Sequence, residues 1–192
     1  KLTDKVDAAK SKRKNRVCKK DPIDVVTGSL TMEYTDLVLK DIREEFELQR
    51  VYESLYNNEG MMLGNRWFLN IETRLIREEN RIVLQRPDMN LEYFRLEEGE
   101  WRSERCGDES TTLTESEEGY LFKENVSGKT YGYDRAGRLL YQSDSCGNRS
   151  SFAYEGGVLK RMKLASGQFL EFTFENGKLK KIQDTIGRQI SY

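Results

Sequence analysis

Tyr133-Asp134-Arg135-Ala136-Gly137-Arg138-Leu139 returns downstream as Tyr154-Glu155…Gly157-Val158-Leu159 and Phe174-Glu175…Gly177-Lys178-Leu179. Gly137, Gly157 and Gly177 are spaced by 20, and so are Leu139, Leu159 and Leu179. Gly147, Gly167 and Gly187 share that spacing, as do Phe152, Phe172 and Tyr192. A second turn follows each first one: Asp144-Ser145-Cys146-Gly147, Leu164-Ala165-Ser166-Gly167 and Asp184-Thr185-Ile186-Gly187. Two turns per period leave two strands of about six residues, so each unit reads as one β-hairpin. The leucine two places after the first glycine and the aromatics at the opposite strand end fall on one face. A lone hairpin is marginal in water, so neighbours must pair edge to edge into a growing sheet. The predicted fold class is all-β, an antiparallel β-hairpin repeat array.

Working back from the repeats, weaker copies lie at Tyr93–Trp101, around Gly99, and at Gly119–Gly128, which places the start of the array near residue 88. Upstream, Ser29–Leu39 alternates loosely and Glu45–Tyr56 more strictly, each as a half-buried strand does. Trp67, Leu69, Ile71, Thr73 and Leu75 recur at period two, which predicts one continuous strand with an apolar face. Turns are expected at Asp21-Pro22, Thr27-Gly28, Asn57–Gly60 and Glu78–Asn80. The chain therefore divides into a basic arm or linker (1–20), a β-rich domain (21–87) and hairpin repeats of about 20 residues (88–192).

Charged residues make up 34% of the chain, yet the net charge is -1, so no global field favours nucleic acid or an anionic membrane. The charge is uneven: residues 1–20 hold nine Lys/Arg and two Asp, so a basic arm leads an acidic body. That arm reads as a solvated tail or a partly helical arm, with contact to nucleic acid or an acidic partner as the alternative. There is no histidine, which removes the commonest general base and the commonest metal ligand. Cys18, Cys106 and Cys146 form no CxxC, so zinc and redox motifs are missing, although two of the three could pair. No apolar run is long enough to span a bilayer. Lys1 in place of Met, and a last residue at a strand position, lead us to expect a piece of a longer chain.

Tyr133–Leu139 followed by Asp144…Gly147-Asn148 resembles the YD repeat of Rhs proteins, bacterial wall-associated proteins, Tc toxin components and teneurins. Asp21-Pro22-Ile23-Asp24…Thr27-Gly28-Ser29-Leu30, Thr35-Asp36-Leu37, Arg50-Val51-Tyr52-Glu53-Ser54 and Gly64…Trp67 are similar in order and spacing to the domain that precedes such repeats in Rhs-type polymorphic toxins. Arg66 departs from the pattern, standing where that family usually has a second glycine, and the middle repeat lacks its Asp. The resemblance implies a spiral β-shell that encapsulates a C-terminal toxin, made by a bacterium and either secreted or held at its surface. The partners it implies are the rest of the chain, further repeats and the enclosed toxin.

Catalytic chemistry finds little support. The pairs Glu44-Glu45, Glu78-Glu79, Glu97-Glu98 and Glu117-Glu118 could suggest glycoside hydrolysis, but each falls at a turn or strand edge, where solvated charge is the ordinary outcome. No catalytic, cofactor-binding or metal-binding residue is assigned, and no cofactor is expected. Tyr131, Tyr133, Tyr141 and Tyr154 with Arg135, Arg138 and Arg149 could form a surface for glycans or single-stranded nucleic acid, or could pack and blunt a sheet. Two functions from different classes follow: a non-catalytic shell segment, and a module binding cell-wall polysaccharide or protein. The open last strand, Gly187–Tyr192, is expected to pair with another chain.

Overall fold

A computed structural model describes residues 23, 28–55, 62–86, 90–105 and 110–192. Among these, every regular element is a strand and the pairing is antiparallel, as the hairpin reading requires. β1 (Thr31–Lys40), β2 (Glu45–Glu53) and β3 (Trp67–Leu69) form a three-stranded sheet. A second sheet of 13 strands holds the rest: β4 (Arg74–Arg77), β5 (Arg81–Gln85), β6 (Leu91–Glu97), β7 (Glu100–Ser103), β8 (Thr111–Glu115), β9 (Gly119–Glu124), β10 (Thr130–Asp134), β11 (Leu139–Ser143), β12 (Arg149–Glu155), β13 (Val158–Lys163), β14 (Phe169–Glu175), β15 (Lys178–Asp184) and β16 (Gln189–Ser191). Its strands lie in sequence order, each bonded to the next, and it does not close into a barrel.

Two turn designs alternate along the later strands. Gly156-Gly157 and Asn176-Gly177 place two successive residues at positive φ, as a two-residue type I′ hairpin turn requires, and Glu98-Gly99 does the same earlier. The second design spans five residues. At 134–138, 144–148, 164–168 and 184–188 the first residue's N–H reaches the fifth carbonyl, and the glycine N–H in fourth place reaches the first carbonyl. Gly137 therefore belongs to the five-residue design while Gly157 and Gly177 belong to the two-residue one. That extra residue is why Tyr133 to Tyr154 is 21 residues while Tyr154 to Phe174 is 20.

Each repeat hairpin also carries a β-bulge. Gly132 faces Tyr141 but Tyr133 faces Leu139; Ala153 faces Arg161 but Tyr154 faces Leu159; Thr173 faces Lys181 but Phe174 faces Leu179. The conserved-in-period aromatic and leucine are thus direct cross-strand partners, and Leu140, Lys160 and Lys180 are the extra residues. The bulge resets the side-chain alternation. Leu159 and Met162 are both buried, as are Leu179 and Ile182, although strict period two would turn one of each pair outward.

The single strand expected over Trp67–Leu75 is not formed. β3 stops at Leu69, and Glu72 N–H returns to the Leu69 carbonyl in a turn, after which the chain crosses into the second sheet at Arg74. The change of sheet falls there, and β5 to β6 pairing runs on past residue 88. The sheet then curls. Leu75 N–H donates to the Gly137 carbonyl at 2.9 Å, Thr73 Oγ1 lies 3.0 Å from the Tyr133 hydroxyl, and Arg77 Nη1 reaches the Tyr120 hydroxyl at 2.8 Å. The first strand of the sheet is thereby brought against the β10–β11 tip. Inside this curl sit Leu75, Ile82, Phe94, Phe122 and Tyr133, continuous with Leu39, Leu48, Leu69, Leu159, Phe172 and Ile182 between the two sheets.

Candidate functional site: the seam between the two sheets

β1 runs across the five-residue turns of the repeat sheet. Ser166 N–H donates to Asp41 Oδ1 at 2.8 Å and Ser166 Oγ to the Lys40 carbonyl at 3.1 Å. Next along β1, the Val38 carbonyl accepts from Arg188 Nη2 at 2.9 Å. Then Asp36 Oδ2 accepts from the Tyr192 hydroxyl at 2.6 Å, while Arg50 Nε holds Asp36 Oδ1 at 3.3 Å. Burial and the Asp36 carboxylate together raise the Tyr192 hydroxyl above its ordinary pKa. At the opposite end of the strands, Leu179 N–H donates to the Met62 carbonyl at 2.9 Å.

The Asp that opens a five-residue turn clamps it. Asp184 Oδ1 accepts from the N–H of Ile186 and Arg188 at 3.0 and 2.8 Å, and its Oδ2 from Arg188 Nε at 2.6 Å. Asp144 does the same for Cys146 and Asn148, and Asp134 for Arg138. Burial alone would raise the Asp184 carboxyl, but Arg188 and the two backbone donors outweigh it and hold the pKa low. Asp144 is held low chiefly by the Asn148 side chain. The 164–168 turn has Leu164 in this place, buried in the core. Its third-residue N–H, that of Ser166, donates to Asp41 instead. The carboxylate missing from the middle repeat is supplied from the tip of the β1–β2 hairpin, so the departure from pattern marks the turn on which the small sheet docks.

Glu72 is the other carboxylate of the seam, only 7% exposed. Its two oxygens accept from the N–H groups of Leu69 (2.8 Å) and Met62 (2.9 Å). Burial pushes its pKa up to about 7 against those two bonds and the charges of Arg74 and Lys178. A cavity of about 250 Å³ opens beside it, lined by Arg138, Phe152, Tyr154 and Phe174 among others. Sequence reasoning passed over Glu72 because a lone Glu between apolar residues looks like the polar face of a strand. Its burial depends on the crossover, which no local pattern announces.

The upstream motif residues brace the small sheet. Ser54 Oγ accepts from Leu30 N–H at 2.9 Å, and buried Glu53 accepts from the hydroxyls of Ser29 and Thr31. Gly28 adopts φ 69°. Gly64, Asn65 and Arg66 have φ of 70, 51 and 69°, and Trp67 N–H returns to the Gly64 carbonyl. Arg66 therefore occupies a left-handed conformation that glycine adopts more readily. Tyr52 and Trp67 rings lie 5.2 Å apart, with the Arg50 guanidinium 5.6 Å from Trp67. Asp21, Pro22, Asp24 and Thr27, residues 1–20 and the Asn57–Gly60 turn lie outside the described residues.

Of the repeat residues, Tyr133, Leu139, Phe152, Leu159, Phe172 and Leu179 gather in the core, and Tyr154, Phe174 and Tyr192 pack against it. Gly147, Gly157, Gly167, Gly177 and Gly187 stand at exposed tips. The four adjacent carboxylate pairs are all exposed and are not brought together with the seam. Among the surface arginines, Arg149 stacks over Tyr141 and Arg138 over Tyr154. Among the described residues no group of three His, Cys, Asp or Glu side chains assembles where a metal could be held. Among the described residues no helix is long and apolar enough to cross a membrane.

These features define an all-β chain in which a small sheet is docked on a long hairpin sheet. Residues 20–94 match the model of a family described as a domain of unknown function, DUF6531. The match covers the small sheet and runs into β6. No curated protein matches the chain.

Proposed function

We propose that the chain is a non-catalytic scaffold: a segment of a spiral β-shell of the Rhs/YD-repeat type, secreted or surface-held by a bacterium, in which the docked small sheet braces one stretch of wall around an enclosed toxin domain. One observation carries this reading. The 13 strands are laid down in sequence order and curl without closing into a barrel, which is how a wall grows by adding hairpins. The 20-residue period and the match over residues 20–94 support it further. The test is electron microscopy of the protein purified from its source, with limited proteolysis. A hollow particle shielding an inner segment from protease is the expected result; a particle no larger than the fold described above would sink the proposal.

A second reading, a carbohydrate-binding module, is favoured by a cleft of about 440 Å³ between the β1–β2 tip and the β11–β12 turn. Phe46, Tyr131, Gln142 and Asn148 line it, a mix of rings and amides that suits a sugar. Saturable binding of peptidoglycan fragments, abolished by Tyr131→Ala, would select this reading over the scaffold.

A further inference from the structure

The buried face of the small sheet extends beyond the strands it covers. Leu48, Arg50 and Tyr52 alternate along β2 and so share one face. Their cross-strand partners are Leu37, Tyr34 and Met32 on β1, and Arg50 and Tyr52 also face Leu69 and Trp67 on β3. At one end of this face Leu37, Leu39, Leu48 and Leu69 are buried against the repeat sheet. At the other end Tyr34 is 46% exposed, beside Met32, Tyr52 and Trp67. The direction of travel is fixed by the seam: β1 touches the β13–β14 turn at Lys40–Asp41, the β15–β16 turn at Val38, and Tyr192 at Asp36. Met32 and Tyr34 therefore lie past the last strand. With about 3.3 Å per residue along β1 and about 4.8 Å between strands, the four residues from Asp36 to Met32 reach across roughly one more hairpin. β16 is the end strand of its sheet and pairs with β15 alone among the described residues.

We propose that Met32, Tyr34, Arg50, Tyr52 and Trp67 form a docking platform for one further β-hairpin of the repeat type, added to the β16 edge. The occupant is specified by continuity with the existing interface. A hairpin continuing the 20-residue period would turn the equivalents of Leu179 and Ile182 toward this platform, as β15 turns Leu179 and Ile182 toward the core. The rings supply the apolar floor. Arg50, held by Asp36 and lying 5.2 Å from the Tyr34 ring centre, supplies the polar end that already receives Tyr192 through Asp36. The proposal deepens the scaffold reading and rests on it for the nature of the occupant.

The test appends a second copy of residues 173–192 after Tyr192, in Trp101→Phe and Trp67→Phe backgrounds that separate the two tryptophan emissions. With the platform filled, acrylamide quenching of Trp67 falls severalfold and β16 amide exchange slows at least about tenfold. A copy carrying lysine in place of its leucine and isoleucine does neither, and Tyr34→Glu in the extended chain reverses the Trp67 shielding. A hairpin that leaves both readouts unchanged overturns the proposal, and so does β16 protection without Trp67 shielding. Trp67 shielded before extension assigns the platform to the chain's own upstream residues, and shielding that grows with concentration assigns it to a second copy; either overturns the choice of occupant. If the hairpin docks but the purified protein forms no hollow particle, the scaffold reading falls and the platform stands.

Discussion

A methyl group on Gly137 would sit 1.9 Å from the Leu75 carbonyl oxygen, whereas one on Gly147 would meet open space. The two glycines share a turn design and a positive φ, 79 and 85°, so they separate backbone strain from packing. Gly147→Ala should cost about 1–2 kcal/mol, the left-handed penalty alone. Gly137→Ala should exceed about 4 kcal/mol, because the curl cannot keep its contact with β4. Urea denaturation of both variants checks this, and equal losses would show that the β10–β11 tip does not bear on Leu75. Arg66 offers the reverse experiment. Since it holds φ 69° in a turn suited to glycine, Arg66→Gly should stabilise the chain by about 0.5–1 kcal/mol, after offsetting the greater freedom of glycine when unfolded. The expected signature is a higher urea midpoint with an unchanged slope.

Among the elements, the hairpins were legible in the sequence and their irregularities were not. Glycine spacing located every repeat turn, because positive φ is a local demand that glycine meets at little cost. The bulges at Leu140, Lys160 and Lys180 leave no such residue signal, since an unpaired residue can be almost anything. They still shape the core: Leu159 and Met162 are buried together only because Lys160 is extra. Leu159→Ala should therefore cost about 2–5 kcal/mol in thermal or urea unfolding, and a loss at the level of surface substitutions, about 0.5 kcal/mol, would place it on the solvent face. The seam was equally hidden. Trp67–Leu75 alternates well enough to pass for one strand, and only long-range packing makes Ile71–Thr73 a crossover. Leu164 in the place of an Asp looked like decay of the repeat, and proves to be where Asp41 docks. Asp41→Ala should cost about 1 kcal/mol and speed exchange of the Ser166 amide. Asp184→Ala, which removes a buried carboxylate and its three bonds to an exposed turn, should cost about 2–3 kcal/mol and leave that amide unchanged.

For the whole molecule, the seam sets an unusual pH profile. Glu72 has a folded pKa pushed up to about 7 from an ordinary 4.5, so between those values the folded chain keeps a proton that the unfolded chain has released. Stability should fall as pH rises through that window, by on the order of 3 kcal/mol, and level off above it. Asp184 works in the opposite sense: its lowered pKa contributes stability above the ordinary Asp range that is lost as pH falls below it. The expected maximum is thus mildly acidic, and Glu72→Gln should flatten the alkaline side alone in urea titrations at a series of pH values. A profile that still declines between pH 4.5 and 7 in that variant would assign the slope to other groups. The same seam also imposes an order in time. Each repeat strand finds its partner within the next few residues, so the long sheet can form as its sequence is synthesised. Asp41 must wait for Ser166, 125 residues later, and Asp36 for Tyr192, 156 residues later. The small sheet, made before the strands it docks on, consequently settles after them, and until it does its apolar face needs a chaperone's protection or risks a wrong neighbour.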